Sequence, residues 1–247
     1  MKGVFCLLAV VLTVAVAIPN QRTSAAGAQA ANRGTIKGHV RLNGKLPGNP
    51  VIRMGMDPMC SKINAGKRVV QETVLAAADG SLANVFVKLE GSFPQTPVPT
   101  EPVKLDQQGC VYLPRVVGAR VGQTLQVHNS DELMHNVHSL SAKSNTFNVS
   151  EPKAGMMQQF KMKDEEMLQI KCDVHSWMTA YVGVVSHSYF AVSNTAGTFE
   201  IANVPAGTHK IQAWHERYGP VTQTVQVKAG ATATVDFMYS GTEPPPK

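Results

Sequence analysis

The sequence predicts an all-β protein built from two β-sandwiches. From Gly34 onward, short runs in which apolar and polar residues alternate are separated by Gly, Pro, Asn and Asp, a pattern typical of strands and turns. The apolar spacing typical of helices is nearly absent. A chain of 247 residues with 43% hydrophobic and 16% charged residues can bury two cores, and this composition excludes a disordered protein.

Ten strands are predicted in chain order, at residues 35–42, 82–89, 123–129, 158–163, 168–172, 181–186, 198–201, 209–214, 221–227 and 232–238. So many short strands favour sandwiches or barrels. The stretch 92–102 contains four prolines, and we expect a loop there because proline cannot donate a ladder hydrogen bond.

The N-terminus has the features of an export signal. Met1 and Lys2 precede an apolar run that extends to Ile18, and small or polar residues follow as far as Ala30. This pattern predicts a secretory signal peptide over residues 1–30, with cleavage after Ala17 or Ala30. We therefore expect a periplasmic protein of a Gram-negative bacterium, or a secreted one. The run is short for a membrane span, and no later stretch could form one, so the mature chain is predicted to lack a transmembrane segment.

The charge balance restricts the partners. The formal net charge of +6 falls to +4 when Lys2 and Arg22 leave with the signal. The remaining charges are scattered and form no basic stripe, which excludes nucleic acid and favours acidic protein partners.

Cysteine usage suggests one disulfide. Cys6 lies in the signal, so three cysteines remain, and an odd number in an oxidising compartment favours one disulfide and one thiol with a separate role. Since Cys172 lies among possible metal ligands, the predicted pair is Cys60 with Cys110. The alternative is that both are unpaired buried thiols.

Two separated segments carry a metal-ligand pattern. His135 stands in the segment Met-His-Asn-Val-His after a predicted strand, and Cys172, His175 and Met178 share a Cys-x2-His-x2-Met segment after another. Two imidazoles and a thiolate with a weak axial thioether form a blue-copper electron-transfer site. Each residue alone could be core filler, and zinc is the competing metal. Zinc sites use more cysteine and rarely methionine, so the joint spacing favours copper.

Over residues 110–186 the chain resembles the cupredoxin family, most closely its amicyanin and plastocyanin-like domains. The resemblance rests on these candidate ligands and on residues 121–124 and 155–160. The resemblance implies a Greek-key β-sandwich holding one type 1 copper that passes single electrons between periplasmic redox proteins. It implies that His135, Cys172, His175 and Met178 are ligands and that His138 is a nearby non-ligand. The chain departs from the family at residues 173–174, where a Pro-containing dipeptide is usual.

The surroundings of such a site can be anticipated. We expect a backbone amide to donate to the Cys172 sulfur and Asn136 to link the two ligand segments. We also expect His175 near the surface as the electron port, with Trp177 in an apolar docking patch. Four protein ligands leave no open position for a substrate, so the protein is predicted not to be an enzyme.

After Ser188 the sequence changes character. Its short strands, with Asn194 to Gly197 and Val204 to Gly207 between them, resemble the carboxypeptidase regulatory-like module, a smaller transthyretin-like β-sandwich also described as carbohydrate-binding-like. The predicted domains are a cupredoxin domain over 72–186, this module over 187–241 and a disordered tail over 242–247. The segment 34–71 is left open, since its strand could complete either sandwich.

Two other functions fit parts of the sequence. Met54, Met56 and Met59 could capture Cu(I), as in a copper chaperone or store, although core packing also explains them. A glycan-binding or structural envelope protein is the other alternative, and it depends on the C-terminal module.

Overall fold

The structure, a computed structural model, describes residue 3 and residues 32–246. All of the predicted signal segment except Gly3 lies outside these residues. The described chain contains seventeen strands, one short helix and one 3-10 turn. In chain order these are β1 Arg33–Leu42, the 3-10 turn Met54–Met56, α1 Pro58–Ile63, β2 Phe86–Glu90, β3 Val103–Gln107, β4 Tyr112–Leu113, β5 Val116–Arg120, β6 Thr124–Asn129, β7 His135–Ser139, β8 Asn148–Glu151, β9 Met157–Lys161, β10 Glu166–Lys171, β11 Thr179–Val185, β12 Phe190–Val192, β13 Thr198–Pro205, β14 Gly207–His215, β15 Gly219–Val227, β16 Thr232–Thr234 and β17 Phe237–Tyr239. The all-β fold class is confirmed. Within the described residues, no helix has the length and apolar character needed to cross a membrane.

The first sandwich pairs a five-stranded sheet, β5-β11-β10-β7-β8, with a four-stranded sheet, β4-β3-β6-β9. Side chains that point alternately inward and outward along each strand form the core of this sandwich. In β6, Leu125, Val127 and Asn129 are buried, and the residues between them are half-buried. Leu168 and Ile170 of β10 and Val137 of β7 join the same core. This sandwich holds the ends of β7 and β10, where the predicted metal ligands lie.

The second sandwich pairs the sheet β13-β1-β16, with β17 also on β1, against the sheet β12-β2-β14-β15. Strand β1 runs antiparallel to β13 and parallel to β16 and β17, and its Ile36, Val40 and Leu42 are buried. Strand β1, which the sequence pattern alone could not assign to either sandwich, therefore lies at the centre of this sheet.

The structure draws the domain boundary differently from the range 72–186. Strand β2 pairs with β12 and β14 of the second sandwich, because Val85, Val87 and Leu89 all face that core. Residues 52–71 cross instead to the first sandwich, where Met54 and Cys60 join its core. We call residues 52–71 the cap segment. The first sandwich thus consists of the cap segment and β3 to β11.

The two sandwiches meet along a small apolar contact. Phe86, Val116, Val185 and Trp214 form its buried cluster. A Cβ atom on Gly183 would lie only 2.4 Å from the ring of Phe86, so glycine is what allows this close approach.

An ion pair joins the two sandwiches at the same contact. The Arg115 guanidinium makes two hydrogen bonds to the carboxylate of Glu216, one of them of 2.7 Å between Nη2 and Oε2, and both side chains are largely buried. Bidentate pairing satisfies both buried charges.

Beyond β17, residues 242–246 form no helix or strand. The Glu243 carboxylate accepts hydrogen bonds from the backbone amides of Ser240 and Gly241, at 2.6 and 2.9 Å, which folds this stretch back on the end of β17. Disorder over 242–247 stays a prediction.

Candidate metal centre

The two predicted ligand segments are both placed by strand ends. His135 is the first residue of β7, after a turn in which the Asn129 side chain accepts from the Asp131 amide at 3.0 Å and donates to the Leu133 carbonyl at 2.9 Å. The other segment connects β10 to β11, whose register pairs Lys171 with Thr179. Both ends of the centre are therefore fixed by sheet hydrogen bonds.

Backbone hydrogen bonds close the connection between β10 and β11. The Cys172 amide donates to the Met178 carbonyl at 3.2 Å, and the Met178 amide donates to the His175 carbonyl at 2.9 Å. Met178 itself is fully buried in the same core cluster as Cys172. The structure thus brings Cys172, His175 and Met178 into one short, closed loop.

Three metal-binding atoms converge at this point. His135 Nδ1 and His175 Nδ1 are 3.1 Å apart, and Cys172 Sγ lies 3.7 Å from His175 Nδ1. The ligand atoms of the three residues lie within 4.8 Å of one another, and all three residues are buried. Two imidazoles and a soft thiolate, with a buried thioether in the same loop, form a donor set that fits copper.

A carboxylate fixes the orientation of each histidine ring. His135 Nε2 lies 2.9 Å from Asp131 Oδ2, and His175 Nε2 lies 3.0 Å from Asp57 Oδ2. A carboxylate can only accept, so each Nε2 carries a hydrogen, and each Nδ1 can offer its lone pair to a metal once its own proton is lost. This is the arrangement by which outer carboxylates orient metal-binding histidines.

The metal-free electrostatics favour ionised groups. Burial by itself lowers the pKa of His135, but its hydrogen bonds to Asp131 and Cys172 outweigh burial and raise that pKa to about 9. Burial raises the pKa of the Cys172 thiol, and hydrogen bonds from His135, His175 and the backbone outweigh it and lower the pKa to about 6. The thiolate that a metal requires is therefore accessible near neutral pH.

Asn136 and the Cys172 sulfur connect the two ligand segments. The backbone amide of Asn136 donates to Cys172 Sγ at 3.3 Å, and its side-chain Oδ1 accepts from the Asp173 amide at 3.2 Å. The Tyr112 hydroxyl donates to the Asn136 carbonyl at 2.6 Å, which holds this strand end from the opposite sheet.

His138 lies apart from the converging atoms. Its Nδ1 is 2.9 Å from the Asp173 carboxylate at the edge of the centre, and its side chain is partly exposed. The structure therefore places it as a neighbour of the ligand loop.

We expected His175 near the surface as the electron port, and the structure buries its ring beneath the cap segment. Only 1% of His175 is accessible, because the cap segment lies over it: Asp57 contacts its Nε2, and Cys60 Sγ is 3.5 Å from the same atom. The predicted disulfide between Cys60 and Cys110 is confirmed, and it ties the cap segment to the first sandwich.

Trp177 is half-buried and packs against the core of the first sandwich, so its place in a docking patch stays a prediction. Its Nε1 donates to the Cys110 carbonyl at 2.9 Å, and its ring centroid is 5.2 Å from that of His175. Gln71, at the end of the cap segment, donates to the Trp177 carbonyl at 3.0 Å. Trp177 therefore helps to bind the cap segment to the ligand loop.

Sequence reasoning missed the two orienting carboxylates. Asp131 precedes His135 by four residues, and that spacing before a ligand histidine was the available signal. Asp57 is 118 residues from His175, and its only local signal is that of a helix N-cap before Pro58.

The methionines of the cap segment divide into two groups. Met54 is buried, whereas Met56 is 93% exposed and Met59 is 42% exposed. Core packing therefore explains Met54 and is wrong for Met56 and Met59.

A comparison with family models finds a match in the C-terminal part of the chain. A model described as the carboxypeptidase regulatory-like domain matches residues 179–240, from the start of β11 to just after β17. This confirms the resemblance stated for the C-terminal part of the chain. No curated protein matches the chain.

Similar solved structures include cupredoxins and a copper-containing enzyme. A purple cupredoxin from Nitrosopumilus maritimus is 20% identical, with a TM-score of 0.30, and the match covers 33% of this chain and 98% of that one. An amicyanin variant in its Cu(I) form is 18% identical, with a TM-score of 0.31 and coverage of 40% and 97%. The copper-containing nitrite reductase from Thermus scotoductus SA-01 is 17% identical, with a TM-score of 0.31, and the match covers 38% of this chain and about a quarter (24%) of the reductase.

Proposed function

We propose that this protein is a periplasmic type 1 copper protein that carries single electrons between redox partners. The observation that carries the proposal is the buried convergence of His135 Nδ1, His175 Nδ1 and Cys172 Sγ within 4.8 Å, beside the buried Met178. When bound, copper supplies a centre that takes up and releases one electron.

The residues of the chain supply what such a centre needs. Asp57 and Asp131 hold the proton of each histidine on Nε2, so both Nδ1 atoms remain available in a fixed direction. The strand ends and the closed ligand loop restrict movement of these atoms, and the cap segment excludes water from His175. A rigid, dry donor set favours electron transfer because little has to move when the charge changes.

We place the docking surface for the partner on the cap segment. Asp57 of the cap segment contacts the buried His175 directly and its side chain is 26% exposed, so the cap segment offers a short route from this ligand to solvent. Four exposed cations lie on it, namely Arg53, Lys62, Lys67 and Arg68, and its one carboxylate is paired with His175. A basic surface attracts an acidic partner, and that attraction weakens as salt increases.

The carrier role is tested by repeated reduction and reoxidation of the copper-loaded mature protein, followed by stopped-flow absorption. We expect both half-reactions to be fast and copper to stay bound over many cycles. We also expect an acidic redox protein to react more slowly with the double variant Lys62→Glu/Arg68→Glu, whereas the matched variant Lys228→Glu on the second sandwich keeps the parental rate. Loss of copper in each cycle would contradict the carrier role.

Copper handling is the second candidate, and the exposure of Met56 and Met59 favours it. Exposed thioethers beside a buried soft site could pass Cu(I) inward. If this is the function, Met56→Leu/Met59→Leu slows hand-over of Cu(I) to a chelator, while Met238→Leu, an exposed methionine of the second sandwich, does not. Unchanged hand-over in both variants leaves the carrier as the better account.

The second sandwich has no assigned ligand in either account. Its contact with the first sandwich, through the Arg115 to Glu216 pair, is consistent with a scaffold that holds the metal-binding domain. Glycan binding by this sandwich stays a prediction that polysaccharide retention would test.

A further inference from the structure

A cavity of about 460 Å³ lies where the cap segment, strand β4 and the stretch that leads to β2 meet. Its volume falls within the range of about 300–1,000 Å³ that is typical of small-molecule sites, which favour junctions of this kind. None of the four proposed metal ligands lines it. Its apolar lining comes from the cap segment and from β4 with its flanks, and includes Ile52, Val69, Val70, Val111 and Leu113.

Hydrogen bonds fix the cap-segment side of this cavity. The Ile52 amide donates to the Val69 carbonyl at 3.0 Å, and the Gln71 amide donates to the Pro50 carbonyl at 2.8 Å. The Gln71 side chain also donates to the Trp177 carbonyl at 3.0 Å. The cavity is therefore bounded by ordered backbone, so binding of a ligand requires little reorganisation.

Trp177 gives the cavity an aromatic surface beside the candidate metal centre. The side chain is half-buried, and its Nε1 donates to the Cys110 carbonyl at 2.9 Å, which fixes the indole ring. The ring centroid lies 5.2 Å from that of His175. A fixed indole ring favours a planar aromatic partner. A ligand packed on it would touch a side chain that in turn contacts a proposed metal ligand.

Two cations in the lining determine the charge that the cavity favours. Lys67 and Arg68 are exposed there, and the ion pairs that Lys and Arg make in the described chain lie elsewhere. A third lining cation, Arg115, is already paired with Glu216. Glu72 is the one carboxylate in the lining, so the two unpaired cations outnumber it. This balance favours an anion.

We propose that this cavity binds a small aromatic anion, with its planar body against Trp177 and its carboxylate or sulfonate group near Lys67 and Arg68. The apolar lining supplies the affinity for the planar body, and the two cations select the charge. The cavity is separate from the metal ligands, so the proposal does not depend on copper.

The test uses the full mature chain without added metal. The chain is titrated with 2-naphthoate and with its neutral counterpart 2-naphthamide, and both affinities are measured by calorimetry. Proton-nitrogen correlation NMR spectra locate the probe, because the chain has two tryptophans and therefore two indole N–H signals. Trp214 lies at the contact between the sandwiches, outside the cavity, so its signal reports binding elsewhere. The variant Trp214→Phe assigns the two signals.

Two variants change the charge of the cavity in opposite directions. Lys67→Gln/Arg68→Gln removes both unpaired cations, and Glu72→Gln removes the carboxylate. The matched control is Lys210→Gln/Lys228→Gln, which removes two exposed cations of the second sandwich and lowers the net charge by the same amount.

We expect 2-naphthoate to bind more tightly than 2-naphthamide and to shift the indole signal of Trp177. The double variant at the cavity should weaken 2-naphthoate roughly tenfold and leave 2-naphthamide unchanged, whereas Glu72→Gln should tighten 2-naphthoate roughly two- to fivefold. The control should keep the parental affinities. Absence of binding, a shift confined to Trp214, or equal affinity for the two probes would overturn the proposal. So would equal affinities for 2-naphthoate in the cavity double variant and the control.

Discussion

Substitution of Asp57 by Asn isolates the contribution of the cap segment to the metal centre. Asp57 has two partners: Oδ1 accepts from the Cys60 amide at 2.8 Å as the N-cap of α1, and Oδ2 accepts from His175 Nε2 at 3.0 Å. Asn is as good an N-cap as Asp, so its single amide oxygen keeps the bond from the Cys60 amide and the start of α1 is retained. An NH2 group then takes the place of Oδ2 and cannot accept from His175 Nε2, so the variant loses that hydrogen bond together with the negative charge.

The magnitude follows from the lost bond. A hydrogen bond to a charged group contributes about 1.5–3 kcal/mol. The side chain of His175 is buried and that of Asp57 is 26% exposed, so we take the lower part of the range. The loss is then about 1.5–2 kcal/mol, or a metal affinity roughly ten- to thirtyfold weaker, in line with other substitutions of outer carboxylates.

The assay is competition for Cu(I) against a chelator of known affinity, at a pH where the histidines of the free protein are neutral. Asp173→Asn is the matched control, because Asp173 pairs with His138 and not with a converging ligand. We expect the control to keep the parental affinity. Parental affinity in Asp57→Asn, or an equal loss in the control, would refute the role given to the cap segment.

Three further predictions concern the second sandwich and the contact between the sandwiches. Glu216→Gln leaves the largely buried Arg115 without its counter-charge and should lower the free energy of unfolding by about 3–5 kcal/mol in urea titrations, whereas the double variant Arg115→Met/Glu216→Leu should recover much of it. Equal loss in the single and double variants would count against this. Gly183→Ala should cost about 1–3 kcal/mol because the new Cβ meets a phenylalanine ring at 2.4 Å, while Gly48→Ala, with no atom within 4 Å, should cost little in the same titration. Similar costs for the two alanines would contradict the close approach. Burial, with the charges of two arginines, lowers the pKa of His215 to about 4, so its contribution to stability is present above about pH 6.5 and is lost as the pH falls towards 4. The free energy of unfolding should fall by up to about 3 kcal/mol between pH 6.5 and pH 4. His215→Gln should flatten the pH dependence of the unfolding midpoint over this range, and an unchanged slope would refute the role given to His215.

The parts of the fold that local pattern determines could be predicted from the sequence. Strands such as β6 and β10 carry strict alternation between turn residues, and both were predicted to within two residues at each end. Strands β5, β7 and β8 were missed because their sequences lack a clean alternation. Strand β5 also pairs with β11, far along the chain, whereas β7 and β8 pair with each other.

The assignment of strands to sandwiches could not be made locally. In strand β2, Phe86, Val87 and Leu89 are buried and the other two residues are half-buried, so its pattern does not indicate which core it faces. Its pairing with β12 and β14, both more than a hundred residues later, places it in the second sandwich.

The candidate metal centre also has one part that local sequence predicts and one part that it does not. Cys172, His175 and Met178 share one loop, so their spacing alone indicated a common centre. The burial of His175 depends on Asp57 and Cys60, which reach it from the cap segment across more than a hundred residues of intervening chain. A contact at that separation has no local signature, so the burial of His175 beneath the cap segment could not be predicted.

The most direct test of the copper site is to add Cu(II) to the purified mature protein and to Cys172→Ser, and to record visible absorption and electron paramagnetic resonance spectra. We predict an intense thiolate-to-copper absorption band and a small copper hyperfine splitting in the parent, both lost without the Cys172 sulfur. A colourless parent, or identical spectra from the two proteins, would contradict a type 1 copper site formed by His135, Cys172, His175 and Met178.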